Sequence, residues 1–171
     1  MRAADAARMT INIKHLRDHV IVPALQYVAP AAKGFYSPQA VMLLLGTMAV
    51  ESAGQHLVQL GGPAKGLWQI EPATCDDIFG NYLAHRRDLN RRIEGLLTCR
   101  PLHEQLVTNL AFSAVMARLV YYRRPDALPA ASDIPAQAAL WKRVYNTPLG
   151  KGTPGKYIAA MRLHITPALE G

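Results

Sequence analysis

The chain lacks the features that mark a membrane-spanning, disulfide-stapled or metal-holding protein. No apolar run approaches the roughly 18 residues that a membrane span requires. The longest, residues 40–50, has the length of a buried helix. There are only two cysteines, Cys75 and Cys99. They are too few and too far apart for a zinc site. They can pair, but an origin in a reducing cytoplasm favours free thiols. Regular alternation of apolar and polar residues is missing, so a sheet-based fold is not expected. Repeats and low-complexity blocks are missing too. The first residues, 1–5, lead into no apolar stretch with a small-residue cleavage site, so synthesis in a cytoplasm without a signal peptide is expected. Acidic residues are scarce, 12 against 19 lysines and arginines, for a net charge of +7. That balance suits a polyanionic partner or simply a soluble surface. What is present is 171 residues, 50% of them hydrophobic, enough for one domain, 1–171, with a real core.

The pattern is mainly helical. Residues 12–28 have helical spacing, and Pro23 predicts a break or kink there. Ser37-Pro38 is a helix start, with serine as N-cap and proline in the first turn. Residues 39–49 are apolar nearly all round, which marks a helix buried on most sides. The glycine-rich stretch 53–65 reads as a loop with at most a short β-hairpin. A helix is expected to begin at Pro72, and a short one with a basic face over 90–97. Residues 101–122 read as one long helix, with Leu102, Leu106, Leu110 and Ala114 on one stripe. Two more helices follow at 136–145 and 154–165, separated by a turn at 146–150.

Three segments carry candidate chemistry. Glu51 ends about three turns of apolar helix. Burial and the negative end of the helix dipole both disfavour its charge, which is what a general acid working near neutral pH needs. Alternatively, its side chain simply reaches water. The strip Gly66-Leu67-Trp68-Gln69-Ile70-Glu71 offers an indole face for a sugar ring and an amide that both donates and accepts hydrogen bonds. It reads equally well as a core strip with Trp68 buried. In the turn Tyr145-Asn146-Thr147-Pro148, the tyrosine hydroxyl can hold a carboxyl in place. The glycines that follow, Gly150, Gly152 and Gly155, allow close backbone approach. That segment is also readable as an ordinary helix end.

Taken in order, Glu51-Ser52, then Gly66-Leu67-Trp68-Gln69-Ile70 with Pro72 and Thr74, then Tyr145-Asn146, the chain resembles the lytic transglycosylase domain of the lysozyme superfamily, in the form carried by bacteriophages. The resemblance covers about residues 42–157. It implies a single lysozyme-like domain with helical lobes flanking a cleft. The implied activity is cleavage of the β-1,4 bond between N-acetylmuramic acid and N-acetylglucosamine in bacterial peptidoglycan. By the same resemblance Glu51 is the acid/base, Ser52 a polar neighbour, and Gln69 a contact to the sugar. Tyr145 orients Glu51, Asn146 supports that turn, and Leu67, Trp68 and Ile70 form the cleft wall. No metal or cofactor is implied. A monomer is expected, acting at the wall after release by a holin-like partner or delivery within a virion, without stable membrane insertion.

The chain departs from the pattern in three places. Trp68 stands where methionine is usual, Thr147-Pro148 where Ala-Gly is usual, and Glu71 where many transglycosylases have an apolar residue. Goose-type lysozymes are similar in this strip and carry an acidic residue after the glutamine. Glu71 therefore opens a second mechanism. With two carboxyl groups the chemistry is hydrolysis with inversion; with Glu51 alone, the substrate acetamido group and 6-hydroxyl close a 1,6-anhydro ring. Glu71 is also readable as a residue favoured at a helix N-terminus. Other classes fit less well. Arg86-Arg87, Arg91-Arg92, Arg123-Arg124 and Tyr121-Tyr122 admit a nucleic-acid-binding module, but equally a solvated face or an attraction to the anionic wall. His15 and His19, four apart, lack the third ligand of a zinc site.

Overall fold

In the computed structural model the described residues are 11–147 and 150–170. The N-terminal stretch read for a leader and the Pro148-Leu149 part of the Tyr-Asn turn lie outside them. The chain is mainly helical, with isolated β-bridges but no named strand among the described residues. The α-helices are α1 (Ile13–Leu16), α2 (Val22–Val28), α3 (Pro38–Glu51), α4 (Pro72–Asp77), α5 (Arg87–Glu94), α6 (Gln105–Thr108), α7 (Leu110–Tyr122), α8 (Ile134–Val144), α9 (Pro154–Ala160) and α10 (Thr166–Glu170).

Helix α3 is the axis of the fold. Ser37 caps it, its Oγ accepting from the Ala40 N–H at 3.1 Å, and Pro38 occupies the first turn. Every residue from Leu43 to Ala49 is buried, because α7, α8 and α9 all pack against this helix. Its few polar groups are satisfied internally. Thr47 Oγ1 lies 2.8 Å from the Leu43 carbonyl and 2.7 Å from the Tyr121 hydroxyl. Buried residues from Ile13 to Ile165 form one continuous core.

The break expected at Pro23 is a widened turn. Residues Arg17–Ile21 form a π-helical turn that hands the chain to Val22-Pro23 without ending the helix. The same device recurs at Met161–Ile165, which leads into Thr166-Pro167 and carries the last helix on to Glu170. A proline has no N–H and crowds the preceding turn, and a π turn absorbs that mismatch.

One expectation is overturned. Residues 101–122 are not a single helix. A 3₁₀ turn, Leu102–Glu104, leads into α6, and the chain is extended at Asn109 (φ −123°, ψ 91°) before α7 begins. The apolar stripe runs across the break, which hides it in the pattern. Asn109 causes it: Oδ1 accepts from the Phe112 N–H at 3.0 Å, and Nδ2 donates to the Leu96 carbonyl at 2.8 Å. Asparagine competes with helical hydrogen bonding in this way and is favoured at caps. The break makes room for Gly66, which is left-handed (φ +77°) and lies so close that any Cβ would collide with the Leu106 carbonyl oxygen.

Segment 57–70 folds as two back-to-back reversals. Lys65 bridges antiparallel to both Val58 and Ile70, with paired Lys65–Ile70 backbone bonds of 2.9 Å. The Val58–Lys65 bridge falls within the glycine-rich loop 53–65, and the Lys65–Ile70 reversal reaches beyond it into the following strip.

Candidate active site

A cleft of about 720 Å³ opens where the C-terminal end of α3 meets the 57–70 reversals, the end of α7 and the turn after α8. Glu51, Gln69, Ile70, Glu71, Arg123, Tyr145 and Asn146 line it. Glu51 is the last residue of α3, so a helix buried over most of its length delivers one carboxyl to the cleft. Its Oε1 accepts a hydrogen bond from the Trp141 indole N–H at 2.9 Å. Burial pushes the Glu51 carboxyl up to about 7, against the Trp141 hydrogen bond, which favours the charged form. A carboxyl held in this range is fit to give a proton near neutral pH and to take one back.

The support behind Glu51 is aromatic. Trp141 is 1% exposed and packs on Tyr157 with ring centroids 5.8 Å apart. Gly152 lies over the indole, where a Cβ would collide with Trp141 and crowd Asn146. Tyr145 and Tyr121 stack at 5.3 Å, and burial drives both phenols well above their ordinary range, helped by the nearby Glu51 for Tyr145 and by Tyr157 for Tyr121. Among the described residues, the Trp141 indole N–H is the donor aimed at the carboxyl.

Several residues expected at the cleft wall have other roles. Trp68 is fully buried rather than offered to a ligand, and its indole N–H donates to the Leu44 carbonyl at 2.9 Å. The tight turn opened by Gly66 directs this side chain inward against α3. Leu67 is likewise buried. Ser52 is 3% exposed and acts as a staple: its Oγ donates to the Leu67 carbonyl at 2.6 Å and accepts from the Gly54 N–H at 3.1 Å. Tyr145 does not hold Glu51. Its hydroxyl donates to the Trp68 carbonyl at 2.7 Å, so it fixes the strip and not the acid.

Gln69, Ile70, Glu71, Tyr145 and Asn146 do border the cleft. Gln69 has a left-handed backbone (φ 48°), rare for a residue with a side chain, and its amide nitrogen donates to the Gly66 carbonyl at 2.8 Å. Its backbone is therefore fixed at the rim with the amide held in one orientation. Glu71 is exposed and precedes Pro72 at the start of α4. Asn146 Oδ1 accepts from Lys142 Nζ at 2.9 Å, and the same ammonium donates to the Gly150 carbonyl at 2.7 Å, which closes the turn.

The residue that sequence reasoning misses is Trp141. It lies four residues before Tyr145, on the same face one helical turn earlier, and that spacing is the available signal. Arg123 stands out in the sequence only as part of a basic pair. In the structure it lines the cleft and is ion-paired with Asp77.

The remaining candidates resolve simply. Cys75 is buried, Cys99 is exposed, and both are free. Burial raises the Cys75 thiol to about 12. His15 and His19 touch edge to face at 5.6 Å, and no group of three or more potential ligands is placed to hold a metal ion among the described residues. No helix among them is long and apolar enough to cross a membrane. Tyr121, with Tyr122 a candidate for base stacking, is buried against Thr47. Compared with protein-family models, curated proteins and solved structures, the chain matches none.

Proposed function

We propose that this protein cleaves the glycan strands of bacterial peptidoglycan as a lysozyme-like enzyme, with Glu51 as general acid and then base. The observation that carries the reading is a carboxyl at the end of a buried helix, raised to about 7 and open to a cleft. The motif order from Glu51-Ser52 through Gly66–Ile70 to Tyr145-Asn146 supports the substrate class.

The chemistry is a proton cycle on one residue. Protonated Glu51 gives its proton to the glycosidic oxygen, and the C1–O bond breaks with departure of the 4-hydroxyl of the next sugar. The acetamido oxygen of N-acetylmuramic acid occupies C1. The ionised Glu51 then takes the proton from the 6-hydroxyl, whose oxygen displaces the acetamido group and closes a 1,6-anhydro ring. No water is consumed. Trp141 holds the carboxyl for both proton transfers, and Gln69 offers amide contacts to the sugar.

A second mechanism draws on Glu71, which lines the same cleft. If it positions a water, the product has a free reducing end with inverted configuration. The test is mass spectrometry of fragments released from purified peptidoglycan by the wild type and by Glu51→Gln. Fragments one water lighter than hydrolysis products, absent with Glu51→Gln, are the expected result. Reducing ends transfer the mechanism to the Glu51–Glu71 pair. No release by the wild type, or equal release by Glu51→Gln, overturns the function.

A further inference from the structure

Away from Glu51, two concavities of about 620 and 390 Å³ meet along Ala31 and Asp88, which line both. They run between the end of α2, the 3₁₀ turn Ala29–Ala31 and helix α5. Five cations line them, Lys33, Arg86, Arg87, Arg91 and Arg92, against one carboxylate, Asp88. More than half of the chain's +7 is therefore gathered in one groove. The charge is largely uncompensated. Asp88 reaches only Arg91, at 3.6 Å with both side chains highly exposed, and Lys33, Arg87 and Arg92 have no carboxylate partner among the described residues.

Two of the cations are pre-oriented. The Arg86 guanidinium lies 3.8 Å over the Tyr82 ring, and that of Arg92 lies 5.2 Å from the centroid of Tyr27. Arg86 uses one N–H on the Tyr82 carbonyl at 2.9 Å. A guanidinium held by one face keeps N–H groups along its edges, the fork that fits a phosphate.

We infer that this groove binds a phosphodiester-linked polyol or sugar chain, an anionic strand distinct from the one cut at Glu51. A strand fits better than a bilayer because the cations line concavities and do not stand on a flat or protruding surface. Nucleic acid is disfavoured because base stacking needs open ring faces, and the Arg86 guanidinium already occupies one face of Tyr82 at 3.8 Å. The groove and the cleft share the end of α7, where Tyr122 faces one and Arg123 the other. An anchored polymer would thus hold the enzyme at a surface that carries both chains.

The test is fluorescence anisotropy with a labelled glycerol-phosphate oligomer, carried out on Glu51→Gln protein so that groove binding and strand cleavage are separate readouts. The expected result is salt-sensitive binding that weakens at least about tenfold in Arg87→Gln/Arg91→Gln. The salt slope should fall by about 1 for each phosphate that is no longer neutralised. Both arginines are exposed, so the fold should survive; Lys33→Gln/Arg91→Gln is the second variant if it does not. Single-stranded DNA with the same number of phosphates should bind no more tightly. Tighter DNA binding, equal binding to a polyglutamate of matched charge, binding only to phosphatidylglycerol vesicles, or undiminished binding in the arginine variants would each overturn the proposal.

Discussion

Glu51 closes a fourteen-residue helix that is buried over most of its length, whereas Glu71 stands just before the proline that opens α4. Both line one cleft. Glu51 stands at the negative end of its helix, largely buried, with the Trp141 indole N–H bonded to its carboxyl. Glu71 is exposed, at a helix end that accommodates a negative charge. The same side chain is thus prepared for opposite tasks by its position on a helix. Glu51 is held where burial favours its protonated form, whereas Glu71 stands in water at the cleft edge.

The largest expected effect is at Glu51. Glu51→Gln should lower strand cleavage by about 10²- to 10⁴-fold, the usual worth of a positioned acid/base. It should also change stability with a defined sign. The folded carboxyl lies at about 7, above its ordinary 4.5, so the fold favours the protonated form. That contribution is fully present below about pH 4.5 and is lost as pH rises through 7. The wild type therefore carries a penalty on the order of 3 kcal/mol above pH 7. Denaturant melts should show Glu51→Gln more stable than wild type at pH 8 and equal at pH 4. Equal stability at both would remove burial as the cause.

Next comes Trp141→Phe, which deletes the donor and keeps the ring. Its hydrogen bond favours the ionised form, so losing it should raise the Glu51 carboxyl further and move the alkaline limb of the pH–rate profile upward. Activity at neutral pH should fall by about tenfold, the scale of a hydrogen bond to a charged group. Tyr145→Phe sharpens the contrast: it should cost about 1 kcal/mol of stability and leave that limb in place, because its hydroxyl serves the Trp68 carbonyl.

A smaller effect separates core from cleft. Trp68→Phe should cost about 1–2 kcal/mol in a thermal or denaturant melt and leave KM unchanged. A raised KM with unchanged stability would place the indole at the sugar after all. Smallest is Glu71→Gln, which should change kcat less than about threefold if Glu51 acts alone; a loss of about 10²-fold or more would make it a catalytic partner.

What is legible in the sequence follows from local rules. Ser37-Pro38 opens a helix by capping alone, and an apolar run that ends in glutamate is visible without neighbours. The kink at Pro23 is legible in position, and its form as a π turn is not. Whatever depends on a third element stays hidden. An indole at position 68 and one at 141 look alike in one dimension, and only the packing of the 66–70 strip on α3 and of α8 beside it decides which one meets Glu51. The Asn109 break is masked because the apolar stripe continues across it, although the asparagine is its local signal.

The central claim is that Glu51 is a neutral-range acid in an open cleft, and ¹³C NMR titration of glutamate carboxyls tests it most directly. One resonance should titrate at about 7, vanish in Glu51→Gln, and coincide with the alkaline limb of the cleavage rate. Assignment of Glu51 to an ordinary carboxylate value, with no glutamate titrating near neutral pH, would contradict the account.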